Sequence, residues 1–338
     1  MGLSSGGKVP ALSIVILLND RAEHALTCLD SIYMHPVGMG LEVILVDNSS
    51  QNSTISRIRE SYPEARIYSA PQNQNTPRNY NLGIRQALGK YILLLDQNAV
   101  VHPGTITSMV KAMRSHPDYG VVGPQLHSKS WKLMPGCVRA LPTPWRYIAR
   151  QVLLDSDLPL GKVWETLHRW ALIWRFSGAV PCISKDCMLT KNSALERVGL
   201  FDEDYEIFFE VEWCHRVQKL GYRVAYSAGS KLSKVGDDRI YPAGEQSKQS
   251  EYINALRYFD QYHQLTHNQH WLIWMATLLG LIMRTMLSAM VETFTRKPAN
   301  AHMYQSLTRW ILLQIPSRAG RAGMDTTTPF LYEIREGK

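Results

Sequence analysis

The sequence predicts an α/β protein built on a doubly wound, mainly parallel sheet. Three observations carry that prediction. Between residues 11 and 127, short β-branched-rich apolar runs alternate with helix-like patterns. Two of those runs, LEVILVD and YILLLD, stop abruptly at an acid, Asp47 and Asp96. A buried parallel strand that ends on a carboxylate brings it to the carboxyl edge of the sheet, where such sheets bind ligands. Helix starts also carry the expected punctuation: Asn52-Ser53 stands before the helix that follows Asp47, and Pro103-Gly104-Thr105 opens the one that follows Asp96.

Taken in order, the continuous run LSIVILL gives a first strand over 12–18, followed by a helical pattern over 21–34. The run ending at Asp47 gives a strand over 41–46, and a helix over 54–61 follows. A strand over 65–70, a helix over 78–88 and the Asp96 strand over 91–95 continue the alternation. A helix over 105–115 and a strand over 119–122 complete it. From 135 to 176 the character changes. Pro142, Pro144 and Pro159 interrupt it, and Trp145, Trp164, Trp170 and Trp174 stand among Arg139, Arg146, Arg150 and Arg169. This insert reads either as a helical pair packed on the sheet or as an acceptor- or membrane-facing flap.

Composition narrows the class. The chain has 338 residues, 45% hydrophobic and 20% charged, enough for one large or two small cores. A net charge of +8 favours anionic partners. No nucleic-acid recognition motif accompanies it, so nucleic acid is not an expected partner. The five cysteines are scattered, and the spacing of Cys182 and Cys187 fits no zinc pattern, so buried reduced thiols in cytosol are expected. The first ten residues read as a disordered N-terminus and not as a signal peptide.

The block from Cys187 to Ser227 carries a third constellation. Ser193–Val198 reads as a short helix closed by Gly199, and 211–220 as a helix ended by Gly221. Glu210 and Glu212 fall at the start of that second helix, where the macrodipole favours negative charge. Capping alone would explain them. Phe208-Phe209, immediately before, would carry this helix start inward, and burial raises a carboxyl toward the range useful for a general base.

Together, VDN, NxxRNxNxGI, LLLDxN, GLFDE and FFExEWCHR resemble, in that order, the inverting family 2 glycosyltransferases of the GT-A fold. The chain is most similar to the rhamnosyltransferase-like enzymes of bacterial surface-polysaccharide assembly, over about residues 11 to 264. The resemblance implies a GT-A catalytic domain over 11–250, with a nucleotide-sugar half (11–127) and an acceptor half (128–250). It implies that Leu18 and Asn19 line the base pocket and that Asp47 binds the pyrimidine or ribose. Asn75, Arg78, Asn79 and Asn81 would contact the nucleotide, as would Asp96 with Gln97, and Glu210 would be the catalytic base. Arg216 would be a leaving-group contact or helix anchor, and Asp202, Glu203, Glu212 and Trp213 would lie on the acceptor side. Asp96 and Asn98 occupy the DxD-like metal motif.

Departures from the family pattern matter. Asn98 brings an amide where an aspartate is usual, so affinity for Mg²⁺ or Mn²⁺ should fall, and the enzyme could be metal-independent. Asn52 also replaces a customary aspartate, and the base is a glutamate. Lys234 aligns loosely with a family histidine. It reads either as a solvated loop lysine or as the charge that the weakened metal site lacks, stabilising a diphosphate leaving group. The same losses support a rival reading, a catalytically degenerate subunit that binds nucleotide or glycan and supports an active partner. A nucleotidyltransferase is the remoter alternative, since no glycine-rich loop follows the first strand.

The C-terminal part, 251–315, reads as amphipathic and interfacial helices, with a tail over 316–338 that is a candidate homo-oligomer contact. The apolar run from Trp271 to Met283 is too short to span, and continuing it to Val291 buries Arg284 near the centre. An interfacial helix, anchored by Trp271, Trp274, Arg296 and Lys297, is therefore preferred over a spanning or a buried one. His263, His267 and His270 stand at helical i, i+4, i+7 spacing, where a metal face is conceivable, but no acidic partner accompanies them and the apolar helix follows directly. The expectation is a cytoplasmic enzyme peripheral to the inner face of a bacterial membrane. It would use a UDP- or dTDP-sugar and a polyprenyl-diphosphate-linked glycan.

Overall fold

A computed structural model describes residues 9–19, 21–48, 52–71, 74–152, 177–235, 244–295 and 300–316. The chain divides into two compact units. The first takes in described residues 9–141 and 177–235, and the second 142–152 and 244–316.

In the first unit the predicted alternation holds: β1 (Leu12–Leu18), α1 (Ala22–Tyr33), β2 (Leu41–Asp47), α2 (Asn52–Ser61), β3 (Arg66–Ser69), α3 (Thr76–Arg85) and β4 (Tyr91–Asp96). There follow β5 (Ala99–Val101), α4 (Thr105–Ser115), β6 (Tyr119–His127) and, after a short 3-10 turn, β7 (Val138–Arg139). Beyond the insert come β8 (Gly178–Ala179), β9 (Cys182–Ile183), β10 (Cys187–Lys191), α6 (Asn192–Val198), α7 (Phe209–Lys219) and β11 (Arg223–Lys234). The main sheet runs β3-β2-β1-β4-β10-β6-β11-β5, with β8 on β11, and β7 pairs with β9 in a separate ribbon. Strands β3, β2, β1 and β4 are parallel, and β10 enters antiparallel between β4 and β6. All seven residues of β1 are buried, as a strand covered on both faces requires.

Gly83 shows how tightly α3 lies on this sheet. A Cβ there would collide with the Val15 side chain and come within 3.0 Å of Val46 Cγ2. Close approach there seats the C-terminal half of α3 on β1 and β2.

Six strands, β5 and β7 to β11, were not among those expected. β5 has three residues, and β11 ends in the polar stretch SAGSKLSK, which has no apolar run. β11 forms because it lies between β6 and β5, and it absorbs its irregular middle by a register shift between Ser227 and Lys231. Lys234 is consequently the last residue of a strand and not part of a loop.

The second unit contains α5 (Pro144–Val152), α8 (Glu245–His263), α9 (His267–Thr295) and α10 (Ala301–Leu312). α9 packs against α5 and α10. Gly280 permits the α5 contact, since a Cβ there would collide with the Gln151 carbonyl oxygen. Arg284 donates to the carbonyls of Gln151 (3.2 Å) and Arg150 (3.4 Å), so its charge is directed into the unit and not across the apolar face. The three-histidine metal face does not form. α8 stops at His263, Gln264 turns left-handed (φ +50°), and His267 begins a new helix. His270 pairs with Asp260 at 2.8 Å, and His267 accepts from Trp271 Nε1 at 2.9 Å. Trp164, Arg169, Trp170, Trp174, Arg296, Lys297 and the tail beyond residue 316 lie outside the described residues. All five cysteines are buried and unbridged.

Candidate active site

The strand register sets the site. Leu18 pairs with Asp47, and Leu17 pairs with Asp96, so the two acids flank β1 at the carboxyl edge, one residue apart in register. Two strand spacings separate them by about 10 Å. Leu18 is wholly buried, whereas Asn19 is exposed at the edge. The buried Gln97 side chain accepts from the Asn19 N–H at 2.8 Å, which fixes how β1 leaves the sheet.

The NxxRNxNxGI segment forms the start of α3 and clasps the loop of the GLFDE motif. Asn75 caps the helix by accepting from the Arg78 N–H at 3.2 Å, and its amide donates to the Glu203 carbonyl at 2.6 Å. Asn81 holds both backbone groups of Phe201, at 2.9 and 3.0 Å. Arg78, half exposed, pairs with Glu203 at 3.3 Å. Asn75, Asn81 and Glu203, expected on nucleotide and acceptor, are thus joined in one scaffold, while Arg78 keeps a solvent-facing guanidinium. Asn79 differs. It is 1% exposed, and neither amide atom finds a hydrogen-bond partner among the described residues. A buried orphan amide costs about 1–3 kcal/mol.

Glu210 sits in the first turn of α7, entirely buried. The residue before that helix, Phe208, is held at φ +71°, a left-handed conformation that strains a bulky side chain. Across from it the β7–β9 ribbon places Arg139 opposite Cys182. Arg139 Nη1 lies 3.2 Å from Glu210 Oε1, and Cys182 Sγ lies 3.9 Å from the Glu210 carbonyl. Glu212, Trp213 and Arg216 are bonded within the fold. Glu212 and Trp213 are buried, Trp213 Nε1 donates to Gly199 O at 2.8 Å, and Arg216 bridges Glu212 and the carbonyls of Val198 and Leu200. These bonds tie α7 to the turn that follows α6. Asp202, partly exposed, accepts from the Asp204 N–H at 3.0 Å in the loop before α7.

Beside Asp96 lies a network absent from the expectations. The Asp96 N–H donates to the Asp186 carbonyl at 3.0 Å, tying the Ser184–Cys187 segment to the end of β4. Asp186 is buried and accepts from Ser184 Oγ at 2.8 Å and from Lys234 Nζ at 3.1 Å. Burial pushes the Asp186 carboxyl up, but Lys185, Lys234 and Ser184 outweigh it and hold it below its usual value. Lys185 is set among Asp186, Asp96 and Glu210. Tyr80 of α3, buried against Phe201 and Phe209, feels the same three acids, and burial together with their charge pushes its phenol well up. Lys234, then, is a buried ion-paired residue. The sequence signal for this network was SKDC, a Lys-Asp pair between the apolar ends of two short strands.

The residues do not build a divalent-cation cage. Asn98 donates from its backbone N–H (2.8 Å) and its amide (2.7 Å) to Asp96 Oδ1, and its amide oxygen faces His24 Nδ1 at 2.6 Å. A carboxylate only accepts, so the amide nitrogen faces Asp96 and the oxygen accepts a hydrogen bond from the His24 Nδ1–H. Asn98, expected as a metal ligand, therefore has its oxygen engaged. Among the described residues no three His, Cys, Asp or Glu side chains converge as a metal group.

Comparison with known proteins identifies this architecture. Residues 13–134 match the model of glycosyl transferase family 2. That segment is a family 2 glycosyltransferase domain. The chain is 24% identical over 237 residues to the N-acetylglucosaminyl-diphospho-decaprenol L-rhamnosyltransferase of Mycobacterium tuberculosis, covering 66% of this chain and 75% of the relative. It is likewise 24% identical over 233 residues to the O-antigen biosynthesis protein RfbC of Myxococcus xanthus, covering 66% of this chain and 17% of that protein. Among solved structures it is similar to GalNAc-T7 with UDP, GalNAc and Mn²⁺ (TM-score 0.53, 12% identity, 73% of this chain and 48% of that one). S. aureus TarS gives a TM-score of 0.51 at 11% identity, over 79% of this chain and 43% of its own. The chain thus spans about half the length of these two solved chains, and they share its GT-A-like fold.

Proposed function

We propose that the chain transfers one sugar, with inversion, from a UDP- or dTDP-linked donor to a polyprenyl-diphosphate-linked glycan. The observation that carries this is the register placing Asp47 and Asp96 on either side of β1, in a chain whose Tyr80 and Lys185 sense both Asp96 and Glu210. Asp47 binds the pyrimidine or ribose, with Asn19 and Asn79 beside the base and Arg78 within reach of a phosphate. Glu210 takes the proton of the acceptor hydroxyl as that oxygen bonds to the anomeric carbon. The bond from that carbon to the diphosphate breaks, and its electron pair leaves with the nucleoside diphosphate. Arg139 orients the Glu210 carboxylate. The acceptor class comes from the mycobacterial relative, whose name specifies a sugar on a diphospho-decaprenol.

Membrane association is part of the same proposal. α9 is long and apolar enough to cross a membrane by length and composition. Its buried side (Ile273, Thr277, Leu281) packs inside the second unit, while Met275, Leu279, Met286 and Met290 remain exposed along the other side. An exposed apolar stripe with Arg284 turned inward suits a helix lying in the inner-leaflet interface. Calorimetric titration of UDP, dTDP and GDP tests the donor site: one pyrimidine diphosphate should bind, and Asp47→Ala should weaken that binding about 10- to 100-fold. The rival, a subunit that binds without turnover, draws on the buried, Arg139-paired Glu210. It predicts nucleotide binding with no donor hydrolysis and no transfer.

A further inference from the structure

The site contains a cation, Lys185, that has no hydrogen-bond partner among the described residues. Lys185 lies between β9 and β10, in the segment tied to Asp96 by the Asp96 N–H and Asp186 carbonyl bond of 3.0 Å. Its side chain is 20% exposed, and its Nζ is 4.0 Å from Asp186 Oδ1, beyond hydrogen-bond length. Among the described residues Lys185 makes no hydrogen bond. Nor does Asp186 need it. Ser184 at 2.8 Å and Lys234 at 3.1 Å already engage both Asp186 oxygens. A largely buried ammonium with three unused N–H donors is costly unless something supplies acceptors. Solvent reaches Lys185, while Lys234 is 5% exposed and locked on Asp186.

Resting on the transferase reading above, we propose that Lys185 binds the donor diphosphate directly, at the place beside Asp96 where a divalent cation is expected in this fold. The Asn98 amide oxygen is held by His24, and Asp96 Oδ1 by Asn98, so the protein offers little to a metal there. An ammonium near Asp96 also repels a divalent cation from that carboxylate. Lys185 hydrogen-bonds the diphosphate oxygens in the ground state. It gains strength as the sugar–oxygen bond breaks and charge collects on the leaving phosphate. The ammonium keeps its proton throughout, and the acceptor proton goes to Glu210. Lys234 acts through Asp186 as a positioning residue: by engaging Asp186 it leaves Lys185 to the ligand.

The test compares UDP with UMP, dTDP with dTMP, and GDP with GMP by calorimetry on the full chain, in EDTA and in Mn²⁺. One pyrimidine diphosphate should bind about tenfold or more tighter than its monophosphate in EDTA, the size that a charged hydrogen bond supplies. Lys185→Met keeps the apolar stem. It should bring that ratio below about twofold and leave monophosphate affinity unchanged, which also reports an intact fold. Lys185→Arg should restore part of the preference. A preference that needs Mn²⁺ and survives Lys185→Met overturns the proposal while leaving the transferase reading intact. Equal weakening of mono- and diphosphate by Lys185→Met also overturns it, since that marks a general disturbance of the pocket. Absence of binding by every nucleotide overturns both this proposal and the donor site.

Discussion

The two units depart from ordinary burial in opposite directions. The first hides charge: Asp186 and Glu210 have no exposed surface, and Lys234 has 5%. The second displays apolar surface, with Met286 at 64%, Met275 at 57% and Phe294 at 79% exposed. A buried polar group and an exposed apolar patch are both more informative than their converses, because folding by itself favours neither. Each marks a place where something other than stability shaped the chain. In the first unit the unusual residues are ionic and converge beside the ends of β1 and β4. In the second they run along one side of a single long helix. The proposed chemistry and the proposed membrane attachment therefore rest on different units and on different kinds of anomaly.

Substitutions that affect one unit and spare the other sharpen this contrast. The largest effect is expected from Glu210→Gln, which should lower turnover about a thousandfold, within the range for loss of a general base. Nucleotide affinity, measured by calorimetry, should stay within about twofold if the residue acts on the acceptor proton. A fall in both quantities would instead make Glu210 part of the scaffold. Asp47→Ala comes next. Loss of a hydrogen bond to a charged group should weaken nucleoside diphosphate binding about 10- to 100-fold. Binding to vesicles should be unaffected.

The mirror experiment acts on the second unit. Met286→Glu combined with Met290→Glu should abolish co-sedimentation with anionic vesicles and leave nucleotide affinity intact. Vesicle binding that survives both changes would remove α9 as the attachment surface. Gly280→Leu forces a side chain against the Gln151 carbonyl, and overpacking of that kind costs about 1–3 kcal/mol. Thermal melting should show the loss, again without a change in nucleotide affinity.

The smallest effect concerns acid stability. With Asp186 held below its usual value of 3.8, the unfolded chain takes up that proton more readily than the folded one. Its contribution is complete above that value and disappears as pH falls through the lower, folded value. Asp186→Asn should therefore reduce stability near neutrality and flatten the acid limb of a denaturation series below about pH 4.

Much of the first unit was legible because its signals are local. LSIVILL can only be a covered strand, Asp47 and Asp96 end their runs in sequence, and Gly104, Gly199 and Gly221 adopt the left-handed geometry their positions require. The ordered motifs led to the family, and Phe208-Phe209 announced that Glu210 would be buried. Less legible were groups whose meaning depends on a distant partner. Arg139 was one of several arginines in a Trp-rich stretch until the β7–β9 ribbon set it against Glu210. Lys234 lay in a polar segment with no strand pattern until β5 and β6 claimed it. Glu212 and Trp213 shared a motif with Glu210, yet helical geometry turned them to other faces of α7.

By itself, then, the sequence determined the α/β alternation, the edge acids, the inward-turned helix start and an apolar C-terminal helix. Each depends on periodicity and turn chemistry within about ten residues. Only the tertiary structure decided which charges meet. It placed Lys185 beside Asp96, locked Lys234 on Asp186, turned Arg284 onto the α5 carbonyls and gave the Asn98 oxygen to His24. Ion pairs and hydrogen bonds act over a few ångströms between residues far apart in the chain, and no local pattern encodes those distances.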